Sequence, residues 1–147
     1  MKKTIVVGID ESKSAREALR WAAEEARLRE ARLLVVMVWE LPGGEYIPMV
    51  QEADASAVHD ATEEYVEKIL VAENLVPGQT DLDVDTRIMD GAPAPCLLRA
   101  SEGAELLVVG ARGHGQFVGM LLGSVSLHCV THATCPVVVV RSHSDAA

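Results

Sequence analysis

Apolar residues recur along this chain with two periods, and the alternation between those periods lays out the elements. Thr4 to Ile9 is a nearly unbroken β-branched run, the pattern of a strand covered on both faces within a parallel sheet. Behind it, Ser14-Ala15-Arg16-Glu17 reads as a capping box, and Ala15, Ala18, Leu19, Ala22, Ala23 and Ala26 follow at helical spacing. Leu33 to Trp39 is a second buried strand, and a helix between two such strands is a βαβ unit. Residues 40 to 52 contain Pro42, Gly43, Gly44 and Pro48 without a period, which predicts a loop at the carboxyl end of the second strand, long enough to act as a lid. From Ala53 to Asn74 the spacing of Val58, Thr62, Tyr65, Val66 and Ile69 predicts a second helix, ended near Pro77-Gly78.

Leu82 to Ile88 alternates apolar with acidic and polar residues, as suits a third strand at a sheet edge. Asp90-Gly91 is expected to turn the chain, and Pro93 opens a short helix running to about Glu102. A fourth strand, Glu105 to Val109, leads into a glycine-rich loop from Gly110 to Gly123. A helix from Ser124 to about Ala133 and a valine strand, Pro136 to Val140, close the pattern, and the polar tail from residue 142 is expected to be disordered. Five strands alternating with four helices predict an α/β fold. It is a single doubly wound five-stranded parallel sheet with helices on both faces, in one domain over residues 1–141.

Composition narrows the function classes. The chain has 147 residues, of which 49% are apolar, enough to bury a sizeable core. Aromatics make up 3% and the formal net charge is −9, so base-stacking platforms and polyanionic partners are disfavoured: no nucleic acid is expected, while a phosphorylated small molecule in one cationic pocket is allowed. Asp10 and Glu11 interrupt the first apolar run before a signal-peptide core is complete, and no run approaches the roughly 18 apolar residues of a spanning helix, so a cytoplasmic protein is expected. Cys96, Cys129 and Cys135 are three, without a CxxC pair, and read as buried thiols.

Two strands end in parallel wording, Gly8-Ile9-Asp10 and Gly110-Ala111-Arg112, and doubly wound sheets bind ligands beyond such carboxyl ends. A glycine there either lets a ligand approach the backbone or makes a tight turn. Gly110-Ala111-Arg112-Gly113, nine residues, then Gly123-Ser124 at a helix start would offer backbone N–H groups, a hydroxyl and the Arg112 charge to phosphate oxygens. No Lys follows Gly123 and no GxGxxG follows the first strand, which sets aside the Walker and dinucleotide loops.

The Gly110-x2-Gly113-x9-Gly123-Ser124 spacing, the opening Gly8-Ile9-Asp10-Glu11-Ser12, the Gly91-x-Pro93 step and the ending Cys135-Pro136-Val137-Val138-Val139-Val140 together resemble the universal stress protein family from about Thr4 to Arg141. That resemblance implies strand order 3-2-1-4-5, an adenine nucleotide alpha hydrolase-like fold, ATP binding and a homodimer formed through the last strand. By motif position it implies Asp10 near the ribose or a metal on the phosphates and the backbone around Val38 at adenine. Gly110, Arg112, Gly113, Gly123, Ser124 and Val125 would line the ribose and triphosphate. Mg²⁺ is expected only with the nucleotide, bridging its phosphates. Glu11 stands where many members have a small residue, a charge that lowers affinity if it points inward, and Gln116 stands where glycine is frequent.

The implied role is an ATP-binding regulatory stress-response protein acting on an unknown effector, without membrane association. The alternative is a slow ATPase or autophosphorylating enzyme, with Ser124 or Ser126 as acceptor. A receiver-like phosphorylation switch would also begin at Asp10 but lacks a late lysine and an acid at the end of the third strand, Met89-Asp90 falling beyond it. His128, Cys129 and His132, with Cys135 nearby, superficially suggest metal ligation but read as solvated or capping histidines beside buried thiols. His114 could touch a terminal phosphate or lie in solvent. Trp21 and Trp39 are assigned to packing beside the sheet.

Overall fold

A computed structural model describes residues 2–40, 52–112 and 121–142. The elements in chain order are β1 (Thr4–Ile9), α1 (Lys13–Arg29), β2 (Arg32–Trp39), α2 (Glu52–Ala72), β3 (Val84–Asp90), α3 (Pro93–Ala100), β4 (Leu106–Gly110), α4 (Ser124–His132) and β5 (Val137–Val140). The five strands form one sheet in the order β3-β2-β1-β4-β5, and every neighbouring pair is parallel. The predicted fold and strand order are those observed. Among the described residues no helix is long and apolar enough to cross a membrane.

The β-branched runs become the middle of the sheet because both faces are covered. Ile5, Val7 and Ile9 pack with α1 and α2 residues such as Leu19, Val66, Ile69 and Leu70 on one face, while Val6 packs with Leu34, Val36, Leu97 and Cys129 on the other. This is the period-two alternation of a strand read by two helical layers. The alanine stripe of α1, from Ala15 to Ala26, is buried against the sheet, and short side chains let the helix lie close to it. Trp21 is the exception to expectation. It stands two residues past Leu19, about 200° round a helix, and so projects from the outer face with 36% exposure, while Trp39 is half-buried. Cys96 and Cys129 are buried and Cys135 is half-buried, all three as free thiols.

Several boundaries shift for local reasons. The cap of α1 is Ser12, not Ser14: Asp10 Oδ1 accepts from the Ser12 N–H at 2.8 Å, and Ser12 Oγ accepts from the Ala15 N–H at 3.2 Å. An Asx turn therefore ends β1 one step ahead of the helix. Strand β3 begins at Val84 and runs through Asp90, because Trp39 still pairs with Asp90 and the Gly91 N–H reaches the Trp39 carbonyl at 3.1 Å. Gly91 then turns with φ 126°, which favours glycine. The third helix stops at Ala100, two residues before the expected end. The expected lid lies, apart from Glu40 and Glu52, outside the described residues. Ser142 is buried, and the rest of the tail, 143–147, is outside them too.

Helices α1 and α2 are tied by one ionic cluster. Glu73, just past α2, accepts from Arg20 Nε and Nη2 at 2.8 Å each and from Arg16 Nη2 at 3.1 Å, with its own side chain only 11% exposed. The Arg20 hydrogen bond, reinforced by Arg16, holds the Glu73 carboxyl below its usual range despite burial. A depressed folded pKa contributes stability above the ordinary glutamate range, and that contribution is lost as pH falls through the depressed value. Glu73→Gln should therefore cost about 1 kcal/mol at neutral pH, modest because the arginines are solvated, and progressively less below about pH 4. Urea unfolding of both proteins at the two pH values measures this, and a penalty independent of pH would contradict it.

Candidate functional site

The carboxyl ends of β1, β2 and β4 open into a cavity of about 540 Å³, part of it solvent-filled. Gly8, Ile9 and Asp10 supply its floor from β1, Val36 and Val38 one wall from β2, and Val109, Gly110 and Arg112 the other from β4. Ser12 and Ala15 of α1, Pro93 and Leu97 of α3, and Val125 and Ser126 of α4 complete it. The starts of these helices thus meet at one space, and each start carries partial positive charge and first-turn N–H groups. Neither Ala92 before α3 nor Gly123 before α4 provides a side-chain cap, so neither cap residue competes there with an incoming anion.

Two buried serines fix the β4 side. Ser14 Oγ donates to the Arg112 carbonyl at 2.5 Å and also lies 3.4 Å from the Arg112 N–H. Ser126 Oγ lies 2.9 Å from the Ala111 carbonyl and 3.1 Å from that of Gly123, as donor to these acceptors. The Gly123 N–H adds a bond of 2.7 Å to the same Ala111 carbonyl, so the two ends of the glycine-rich segment are joined directly. Sequence reading gave Ser14 to the cap and Ser126 to modification. The signal that assigns them otherwise is a serine at a buried helical position, where a hydroxyl must find a partner. Ser126 is 2% exposed and fully engaged, which disfavours it as a phosphate acceptor, whereas Ser124 is exposed.

The two strand-ending glycines have a different reason from either one expected. A Cβ at Gly110 would lie 2.7 Å from Ser14 Oγ and 2.9 Å from the Ala15 nitrogen, and one at Gly8 would lie 2.8 Å from both methyls of Leu97. Both are glycine because a helix comes too close for a side chain, and the close helices bring their N-termini to the cavity.

Of the residues singled out from sequence, Asp10, Val38, Gly110, Arg112 and Val125 line the cavity. Gly123 is buried at the start of α4, and Ser124 is exposed beside the lining rather than in it. Gly113, His114 and Gln116 lie outside the described residues. Glu11 is exposed and does not line the space; burial first, then Glu11, raises the Tyr65 hydroxyl above its usual range, which puts the Glu11 charge towards α2. Among the described residues, the enclosed Arg112 Nε has no hydrogen-bond partner and stands as an uncompensated polar group at the cavity wall.

Asp90 closes β3 rather than following it, contrary to expectation, but β2 separates β3 from β1, so Asp90 and Asp10 end strands that are not neighbours. His128 and His132 are exposed with ring centroids 4.6 Å apart, whereas Cys129 is buried in the core with its thiol pushed up to about 11 by desolvation. The two histidine rings lie together at the surface while the Cys129 thiol sits in the core, so the three do not converge on one point.

The universal stress protein family model matches residues 1–141. The chain belongs to the universal stress protein family. A universal stress protein of Mycolicibacterium smegmatis is 38% identical over 151 residues, covering 97% of this chain and 49% of that protein. One of Thermus aquaticus is 37% identical over 145 residues, covering 96% of this chain and 100% of that one. This chain therefore spans about half the length of the mycobacterial relative and the whole of the Thermus one. A universal stress protein solved in complex with cAMP is 27% identical, covers 94% of this chain and 95% of its own, and superposes with a TM-score of 0.63.

The glycine contacts predict an order of stability. Gly110→Ala drives a methyl into the backbone of α1 and should destabilise by about 1–3 kcal/mol. Gly8→Ala meets only the end of the Leu97 side chain, which can rotate, and should cost less. Thermal unfolding of the two variants checks this, and the reverse order would show that the β4–α1 contact is not the tight one.

Proposed function

We propose that this chain binds an adenine nucleotide, ATP with Mg²⁺, as a regulatory ligand in the cavity between β1 and β4. The observation that carries the reading is the meeting of helix starts around a space bordered by Arg112, whose Nε has no hydrogen-bond partner among the described residues. A polyphosphate would supply the missing acceptor and sit in the field of the helix ends. The solved relative that holds cAMP supports an adenine nucleotide as the ligand class. In this reading Val38 meets adenine and Asp10 the ribose or the Mg²⁺. Gly110, Arg112, Gly113, Gly123, Ser124 and Val125 hold the ribose and phosphates. The metal comes with the nucleotide because phosphate oxygens are the hard ligands that Mg²⁺ prefers, and Asp10 is the lone carboxylate among the described lining residues.

The same count favours a switch over an enzyme. Asp10 is also the only described lining side chain able to act as a general base, and its Oδ1 already accepts from Ser12. The proposed role is that of a cytoplasmic stress-response protein whose nucleotide state is read by an effector.

The reading includes a homodimer through β5. Pro136 and Val140 carbonyls accept from β4, and parallel pairing alternates sides, so the N–H and C=O groups of Val137 and Val139 point to the open edge. Val138 and Val140 pack on the core, so a charge at Val138 would test folding rather than association. Val139→Pro removes one outward N–H and should convert a dimer to a monomer by light scattering while the fold persists. A wild-type monomer at micromolar concentration would refute the dimer.

For the ligand, ATP with Mg²⁺ should raise the unfolding temperature in a concentration-dependent way. Arg112→Ala and Ser124→Ala should each weaken binding roughly tenfold or more, as expected for loss of one charge-assisted hydrogen bond. Calorimetry showing unchanged affinity in Arg112→Ala would reject the site. Phosphate release at about 1 s⁻¹ or faster would reject the regulatory reading in favour of an ATPase.

A further inference from the structure

The amino ends of the strands carry a second cleft, unrelated to the first. It holds about 680 Å³ including solvent, and is lined by Thr4 at the start of β1, Arg32 and Leu34 of β2, Arg87 of β3, Arg99 of α3 and Glu102. Three guanidinium groups in one cleft are unexpected on a protein with a net charge of −9. Their partners are unequal. Arg32 is held by Asp85. Arg99 Nη2 reaches only the Cys96 sulfur, at 3.4 Å, and no ion pair joins Arg87 or Arg99 to Glu102 or to any other described carboxylate.

The strand pattern explains how they meet. On β3, Asp85, Arg87 and Met89 share the face that carries Leu34, Val36 and Val38 of β2, since Leu34 pairs with Asp85 and Val36 with Arg87. The eight-residue α3 brings Arg99, in its last turn, beside them. Three arginines thus line one opening beside Leu34. Cations that share a cleft without an ion-pair partner among the described residues repel one another, and that repulsion is relieved by a ligand bearing several oxygens in a plane or tetrahedron, which a guanidinium fork matches. The lining holds no aromatic ring, so nothing there selects a base or a sugar face.

We propose that Arg87 and Arg99, with Arg32 and the Thr4 hydroxyl at the rim, form a phosphate-binding site distinct from the nucleotide cavity. Its ligand is a phosphoryl group, either free as a phosphomonoester or inorganic phosphate, or carried on a lipid headgroup. Glu102 sets a preference against bulky polyanions by placing one negative charge at the same opening. The site lies at the amino ends of the strands and the nucleotide cavity at their carboxyl ends, so occupancy of one can be followed apart from the other.

The test is a titration of the full chain with inorganic phosphate, followed by amide and arginine Nε resonances. Saturable shifts are expected at Thr4, Gly103, Ala104, Arg87 and Arg99, and an Arg87→Gln, Arg99→Gln double variant should raise the dissociation constant at least tenfold. Both residues are exposed, so the variant should keep its fold by circular dichroism, and Arg87→Lys should recover part of the affinity by restoring charge without the fork. Shifts confined to Gly8, Gly110 and Val125 would place phosphate in the first cavity and overturn this proposal while leaving the nucleotide reading intact. Linear, unsaturated shifts, or equal affinity in the double variant, would also overturn it. Sedimentation with phosphatidylcholine vesicles containing phosphatidylinositol phosphate separates the sources: binding lost in the double variant assigns a headgroup, and phosphate binding without vesicle binding assigns a free phosphoryl ligand.

Discussion

The contact between Gly110 and the first turn of α1 sets the positions of nearly everything at the carboxyl end of the sheet. With no side chain at Gly110, the end of β4 approaches Ser14 and Ala15 closely enough for the Ser14 hydroxyl to hold the Arg112 backbone. Once Arg112 is held, its side chain borders the cavity. The same approach aims the positive end of α1 at the space between β1 and β4, where the order of connections reverses. Gly8 performs the matching task for α3 by accepting Leu97 where a Cβ would stand. The site is therefore a packing consequence before it is a chemical one.

Most of the architecture could be read from residues because the signals were redundant. The β-branched runs of β1, β2 and β5 have no helical alternative, and the alanine stripe of α1 has no strand alternative. What escaped was local. Ser14 satisfied a capping-box pattern, yet the Asx turn at Asp10 captured the N-terminus two residues earlier, and only the path of the backbone shows which of two serines wins. The ends of β3 escaped for a related reason: edge-strand alternation weakens where Asp, Thr and Arg replace apolar residues, so pairing with Trp39 rather than composition fixes its end. Trp21 misled because size suggested burial while helical phase dictated the outer face.

The candidate site was legible as a set of glycines and one arginine, and five of the eight residues named from sequence line the cavity. The pattern could not show that the glycines answer to helices instead of a ligand, nor that Ser14 and Ser126 act as fasteners. Both facts depend on distances between elements far apart in the chain: 98 positions separate Ser14 from Arg112. Net charge is likewise silent on local detail. An overall excess of carboxylates governs the field at long range, while helix ends and single guanidinium groups decide what happens within a few ångströms.

The joined ends of the glycine-rich segment bear on how this domain can vary. Ala111 and Gly123 are linked by one backbone hydrogen bond of 2.7 Å and braced by Ser126, so the two ends of that loop are held together by residues at its base. Lengthening a closed loop adds only about 0.6 kcal/mol for each doubling. The anchors belong to the sheet and to α4, so a change of length between them is an affair of the loop and leaves the elements on either side as they are.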